Sequence, residues 1–141
     1  MGYYSAVGIS IREKDYQKLQ DNLRKGVDHN DKPVKQETIK LVQNVLKACD
    51  DNYKFVPDDN TKEIYRYLGW DYIKWYENTF LEVDYIMDFI RSPDSGYNFI
   101  RLGEEVNDTQ EENNGDVYTL CVTRNIDIWG KKIKEDDENN A

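Results

Sequence analysis

The start of the chain passes from a strand pattern to a helical one. Branched side chains alternate with small ones over residues 3–11, which predicts a strand whose small-residue face another element approaches closely. Apolar residues then recur at helical spacing over residues 12–25, and Gly26 is placed to end that helix. The branched residues are Val7, Ile9 and Ile11, and the small ones are Ala6, Gly8 and Ser10.

Two further helices are predicted from apolar stripes. Over residues 33–49, Asp31 is expected to cap the helix, and Pro33 is tolerated in the first turn. Over residues 78–92, apolar positions follow helical steps, and Pro93 ends the pattern. The stripe residues are Thr38, Val42, Val45, Leu46 and Cys49 in the first helix, and Phe80, Val83, Met87 and Ile90 in the second.

Strands are predicted in the middle of the chain. Residues 53–56 form a short extended segment, and residues 97–102 alternate as a strand. Residues 62–75 are rich in Tyr, Ile and Trp, and a strand is favoured over an aromatic helix because neither face shows helical periodicity. Gly69 within this segment marks a bulge or a point of close approach.

The last third of the chain is predicted to be less regular. Residues 103–116 hold six carboxylates and no Lys or Arg, and they are expected to form an acidic loop. A long strand is expected over residues 117–123, which residues 126–129 extend or join.

The order of elements, β-α-α-β-β-α-β-β, favours antiparallel pairing, because the late strands are joined by loops and not by helices. We predict an α+β domain of two layers, with the helices on one face of a mainly antiparallel sheet, and a ferredoxin-like variant is one such arrangement. The domain is expected to span residues 1–130, followed by a charged, mobile tail over residues 131–141.

Charge narrows the range of partners. The net charge is −9, with +3 over residues 1–49 and −12 over residues 50–141. An acidic surface repels phosphate backbones, which disfavours direct binding to DNA or RNA. It suits a basic protein partner, including a nucleic-acid-binding groove that the chain would occupy by mimicry, or it serves solubility alone.

The location expected from the sequence is the cytoplasm, without contact to a membrane. No run of 18 apolar residues is present, and the first residues lack the pattern of a signal peptide. Cys49 and Cys121 have no CxxC spacing and are expected to be free thiols.

Motifs for catalysis and for metal binding are weak. His29 is the single histidine, and a zinc site would need ligands from elsewhere. The acidic clusters lack the calcium-loop pattern with its glycine. Asp58, Asp71 and Lys74 match a nuclease core only in part, since the lysine stands one residue too far from the acid. We therefore expect no enzyme activity, no metal and no cofactor.

The remaining indication of a binding site comes from aromatic and cationic residues. Eleven aromatic residues fall between Tyr65 and Phe99, more densely than a core alone requires. If residues 62–75 and 97–102 are neighbouring strands, their cations would share a surface with aromatic rings. Rings stack on nucleobases and Arg binds phosphate through its planar fork, so such a surface could hold a small nucleotide, while the alternative is that the rings are core and the cations are surface. The residues of this candidate pocket are Tyr65, Arg66, Lys74, Trp75, Tyr76 and Arg101.

Three segments resemble small proteins from phages and prophages of low-GC Gram-positive bacteria. They are YYSAV at residues 3–7, IKWY at residues 73–76 with Phe80 and Val83, and FIRLGE at residues 99–104. The resemblance implies a setting in host counter-defence and not a particular activity. It points to Lys74, Trp75, Tyr76, Arg101 and Glu104 as positions to test.

Two functions of different classes follow from these patterns. The first is a counter-defence protein that sequesters a small nucleotide-type immune signal without catalysis, in a pocket completed, as such pockets often are, between copies of a homo-oligomer. The second is an acidic inhibitor, similar to anti-CRISPR proteins, that mimics nucleic acid and blocks a basic host defence complex. An enzyme of another kind is a third, weaker hypothesis.

Overall fold

The computed structural model describes residues 4–57, 62–92, 96–105, 107–114, 119–122 and 126–133. Its helices are α1 (Glu13–Lys25), α2 (Gln36–Lys47) and α3 (Leu81–Ile90). Its strands are β1 (Ser5–Arg12), β2 (Asp51–Pro57), β3 (Tyr65–Ile73), β4 (Tyr97–Leu102), β5 (Thr109–Asn113), β6 (Leu120–Val122), β7 (Ile126–Ile128) and β8 (Gly130–Lys132).

Six strands form one antiparallel sheet in the order β5-β4-β1-β3-β2-β8. The inner order, β4-β1-β3-β2, combines with the helical connections β1-α1-α2-β2 and β3-α3-β4 to give two interleaved split β-α-β units. This is a ferredoxin-like arrangement with one strand added at each edge. The predicted α+β class is confirmed.

The three helices cover one face of the sheet. Val7, Ile9 and Ile11 point to this side and pack against the apolar stripes of the helices. Gly26, with φ of 72°, ends α1 in the left-handed conformation as predicted. Strands β6 and β7 form a second, two-stranded sheet that packs on the opposite face through Leu120, Ile126 and Ile128.

Some predicted boundaries were wrong. Helix α2 begins at Gln36 with Lys35 at its N-cap, so Asp31 lies too early to cap it. In the loop before the helix, the Asp28 carboxylate accepts the backbone N–H groups of Asn30 and Lys32. The predicted acidic loop contains β5, which pairs with β4 along its length. The strand predicted over residues 117–123 is described only at 119–122 and is paired by β7.

The structure describes only residues 131–133 of the predicted charged tail. Lys131 and Lys132 belong to β8, which pairs with β2. Residues 134–141 of the predicted tail lie outside the described residues. No helix in the described ranges is long and apolar enough to cross a membrane.

Two glycines allow other side chains to approach the sheet closely on the face opposite the helices. Gly8 of β1 and Gly69 of β3 are paired in register. The Tyr67 ring lies over Gly69, because a Cβ added there would stand 2.7 Å from the Tyr67 hydroxyl oxygen. A Cβ on Gly8 would stand 2.5 Å from Ile126 Cγ2. The close approach predicted for both positions is confirmed.

We expect Gly69→Ala to lower the free energy of unfolding by about 2 kcal/mol, because the methyl group overpacks the Tyr67 ring. Urea denaturation measures the loss. In a Tyr67→Leu background the same substitution should cost less than about 1 kcal/mol, since the ring atoms are gone. An equal cost in both backgrounds would show that the strain lies in the backbone and not against the ring.

Candidate functional site

A cleft of about 350 Å³ opens on the helical side of the sheet, where the segment after β3 crosses β4 and β5. This volume is at the lower end of the range of small-molecule sites. The cleft is lined by Trp75, Tyr76, Glu77, Thr79, Arg101, Asp108 and Gln110.

Trp75 is the buried wall of this cleft. Its side chain packs against Trp70 and Phe99, at ring-centroid distances of 5.3 and 6.2 Å, and the residue is only 4% exposed. Its indole N–H is buried and donates to no acceptor in the described part of the chain. The neighbouring Trp70 N–H, in contrast, donates to the Val45 carbonyl at 2.9 Å. An unpaired buried donor is costly, so the Trp75 N–H marks a place where an acceptor is missing.

Arg101 supplies the cationic side of the cleft, and its fork is occupied. Nη2 donates to Asp108 Oδ1 at 2.7 Å, and Nη1 donates to Ser5 Oγ at 3.0 Å. Nε lies 3.3 Å from Gln110 Oε1. The ion pair with Asp108 neutralises the guanidinium, so a phosphate would have to displace the carboxylate in order to bind here.

A network of ionic hydrogen bonds holds the rim of the cleft. Arg91 donates to Glu77 at 2.6 Å and to both carboxylate oxygens of Glu112, and Gln110 Nε2 donates to Glu112 at 2.8 Å. These bonds from Arg91, opposed by burial, lower the pKa of Glu112, and the Glu112 and Glu77 carboxylates raise the pKa of Arg91. The network fixes Glu77 and Gln110 beside the opening.

Lys74 and Glu104 both contact Tyr4, near the start of the chain, and neither of them lines the cleft. The Lys74 ammonium lies 5.4 Å from the centre of the Tyr4 ring, and Glu104 accepts the Tyr4 backbone N–H at 2.7 Å. Tyr4 also stacks on Tyr72, whose side chain is exposed. Both predicted residues therefore contact Tyr4, which directly precedes Ser5, and the Ser5 hydroxyl accepts from Arg101.

Tyr65 and Arg66 lie apart from the cleft and apart from each other. Tyr65 is buried on the face opposite the helices with Phe55 and Ile100. Arg66 points to the helical side and pairs with Glu13 of α1. Of the seven predicted residues, the structure brings Trp75, Tyr76 and Arg101 together in one cleft.

Four lining residues were not anticipated from the sequence: Glu77, Thr79, Asp108 and Gln110. Asp108 and Gln110 fall in the segment predicted to be a loop. The register Arg101↔Gln110 across β4 and β5 places them beside Arg101. A signal was present in the alternation of Asp108, Gln110 and Glu112, which is the spacing of one strand face.

The remaining candidate sites from the sequence are a metal site and the nuclease-like pattern. The described residues contain no group of three His, Cys, Asp or Glu side chains placed to hold a metal ion. Asp58 of the nuclease-like pattern lies outside the described residues. No protein-family model matches the sequence, and comparison with curated proteins and with solved structures gives no significant match.

Proposed function

We propose that the chain is a phage counter-defence protein that captures a small nucleotide-type ligand in the cleft around Trp75, without catalysing a reaction. The observation that carries the proposal is the buried indole N–H of Trp75, which has no acceptor among the described residues and belongs to a side chain that lines the cleft. A ligand oxygen or ring nitrogen would accept a hydrogen bond from this donor. The phage setting comes from the resemblance of the three sequence segments.

The lining chemistry suits a nucleotide better than a purely apolar ligand. Tyr76 is partly exposed at the cleft and offers a ring face for a base, and base–aromatic stacking contributes about 1–3 kcal/mol per base. The Gln110 amide lies beside it, and a ligand would bind it in exchange for its bonds to Glu112 and Arg101. Arg101 is the group to receive a phosphate, in exchange for Asp108.

The proposal is tested by releasing the captured ligand. Purified protein is incubated with an extract of infected cells, washed and denatured, and the supernatant is analysed by mass spectrometry. Recovery of an unmodified nucleotide in near-stoichiometric amount is expected. A chemically altered product would favour an enzyme, and no recovered ligand at all would oppose capture.

Trp75→Phe is expected to weaken binding of the released ligand about fivefold to tenfold, because one hydrogen bond to the ligand is lost. The substitution keeps an aromatic ring in the core, so the fold should survive. Isothermal titration calorimetry with the identified nucleotide measures the change.

Trp70→Phe is the matched control. Trp70 is another buried indole in the same cluster, but its N–H already donates to Val45. This variant should bind the nucleotide normally and lose more stability than Trp75→Phe, since it leaves the Val45 carbonyl unpaired. Equal binding by the two variants would show that the Trp75 N–H does not bind the ligand.

The second candidate, an acidic inhibitor of a basic host defence complex, is favoured by one observation. The acidic segment after β4 folds into β5 at the edge of the sheet, with Glu104, Glu105 and Glu111 exposed there. This function predicts co-purification of a basic host protein whose capture weakens steeply with salt, because exposed charges are screened.

A further inference from the structure

A second cavity, of about 500 Å³, lies on the opposite face of the sheet, beneath β7. Three carboxylates stand around it, Asp51 on β2, Asp71 on β3 and Asp127 on β7. Tyr67 lines it as well, together with the apolar side chains of Ala6 and Ile126. The cavity shares none of these residues with the Trp75 cleft.

The paired glycines lie next to the cavity, beneath two of its lining side chains, Tyr67 and Ile126. Gly8, Gly69 and Asp51 stand side by side on β1, β3 and β2, because Gly69 pairs with both of the others. The Tyr67 hydroxyl oxygen lies over this row, 2.7 Å from where a Cβ of Gly69 would be and 3.2 Å from where one of Gly8 would be. The hydroxyl end of Tyr67 and the Ile126 side chain thus occupy the space above the two glycines, and both line the cavity beside it.

The Tyr67 hydroxyl has no hydrogen-bond partner among the described residues, although Tyr67 is 5% exposed. Its nearest polar surroundings are acidic. Burial first, and then the charges of Asp51, Asp127 and Asp71, raise the pKa of this hydroxyl above its ordinary value. A hydroxyl without a described protein partner, on a largely buried ring beside three carboxylates, can accept a hydrogen bond from a ligand donor.

The three carboxylates are not neutralised within the described part of the chain. None of them forms an ion pair with a described Lys or Arg. Burial and the neighbouring charges of Asp71, Asp50 and Asp127 raise the pKa of Asp51, although Lys132 opposes the shift. Lys132 itself lies over the Tyr53 ring, 4.7 Å from its centre.

We propose that this cavity binds an alkylammonium group, with the carboxylates and the Tyr67 hydroxyl accepting its N–H donors. A charged ammonium supplies three donors to a site that offers acceptors and negative charge. The Tyr67 ring adds a cation–π surface, and Ala6 and Ile126 suit the alkyl chain. A bare metal ion fits less well, since no three of the described carboxylates are placed to ligate one.

The ammonium has two sources that share this chemistry, a free polyamine and a lysine side chain. Calorimetry with putrescine and with N-acetyl-lysine methylamide, at constant ionic strength, distinguishes them. Binding of either probe supports the site, and the tighter probe identifies the source. Binding of neither probe, or equal displacement of both by Mg²⁺ at matched ionic strength, would overturn it.

Tyr67→Phe is expected to weaken binding of the better probe about fivefold, because only the accepting hydroxyl is removed and it has no internal partner to lose. Tyr53→Phe is the matched control, since Tyr53 lies on the adjacent strand but does not line the cavity. The site is wrong if the two variants bind the probe alike.

Asp51→Asn separates binding from stability. The pKa of Asp51 is raised in the folded protein, so its ionised form destabilises the fold at neutral pH, and that cost disappears as pH falls below the folded pKa. The variant should therefore melt at a higher temperature than the parent at pH 7, and equally at acid pH, while binding the probe about tenfold more weakly. A variant that loses both stability and binding would mark Asp51 as structural.

Discussion

Asn98→Leu is expected to lower the free energy of unfolding by about 3 kcal/mol, because it leaves two buried backbone donors without an acceptor. Asn98 is 4% exposed, and its Oδ1 accepts the N–H groups of Thr119 and Leu120. Its Nδ2 donates to the Tyr97 carbonyl at 2.9 Å. Leucine has a similar size and replaces none of these bonds.

The loss is measured by urea denaturation, and hydrogen exchange locates it. The amides of Thr119 and Leu120 should exchange faster in the variant, ahead of those in β1. Asn113→Leu is the control, because Asn113 pairs with Asn98 across β4 and β5 but is exposed, and it should change stability by less than about 0.5 kcal/mol. A cost for Asn98→Leu near that of the control would mean that water satisfies the two amides.

Asn98 is also connected to the cavity that Asp51, Asp71 and Asp127 line. Asn98 fixes the backbone at the start of β6, and β6 pairs with β7, which carries Ile126 and Asp127 into the cavity wall. Loosening this small sheet should weaken ammonium binding while leaving the Trp75 cleft intact. This result would separate the two cavities through a residue that lines neither of them.

The parts of the fold that depend on local pattern were predictable from the sequence. The alternation of Val7, Ile9 and Ile11 with small residues placed both faces of β1 correctly, and the small face does receive Tyr67 and Ile126. Gly26 ended α1 because a left-handed residue there needs no Cβ.

The parts that depend on pairing between distant segments were not predictable. Strand β5 is polar on both faces and is stabilised by its pairing to β4, so its composition resembled a loop. The Arg101–Asp108 ion pair depends on that pairing as well. The separation of Tyr65 from Arg66, however, could have been predicted from the sequence, since adjacent residues of a strand point to opposite faces.

Arg66→Met is expected to lower the free energy of unfolding by about 3 kcal/mol, because it leaves the partly buried carboxylate of Glu13 without its main partner. Arg66 donates to both Glu13 oxygens at 2.8 Å and to Asn52 Oδ1 at 2.9 Å. Its guanidinium carbon lies 4.5 Å from the centre of the Tyr16 ring. The pair joins the start of α1 to the middle of the sheet, where only 13% of the Arg66 side chain is exposed.

Acid titration distinguishes this account from a simple loss of packing. Burial alone would raise the pKa of Glu13, but hydrogen bonds from Arg66 and then from Gln17 outweigh it and lower the pKa. A lowered carboxyl pKa gives stability that is present above the unfolded pKa, about 4.3, and is lost as pH falls through the folded pKa. The stability gap between parent and Arg66→Met should therefore narrow below about pH 4 in urea titrations. The double variant Glu13→Gln/Arg66→Met should be more stable than Arg66→Met at pH 7, since no charge is stranded, and a gap that stays constant with pH would leave packing against Tyr16 as the whole effect.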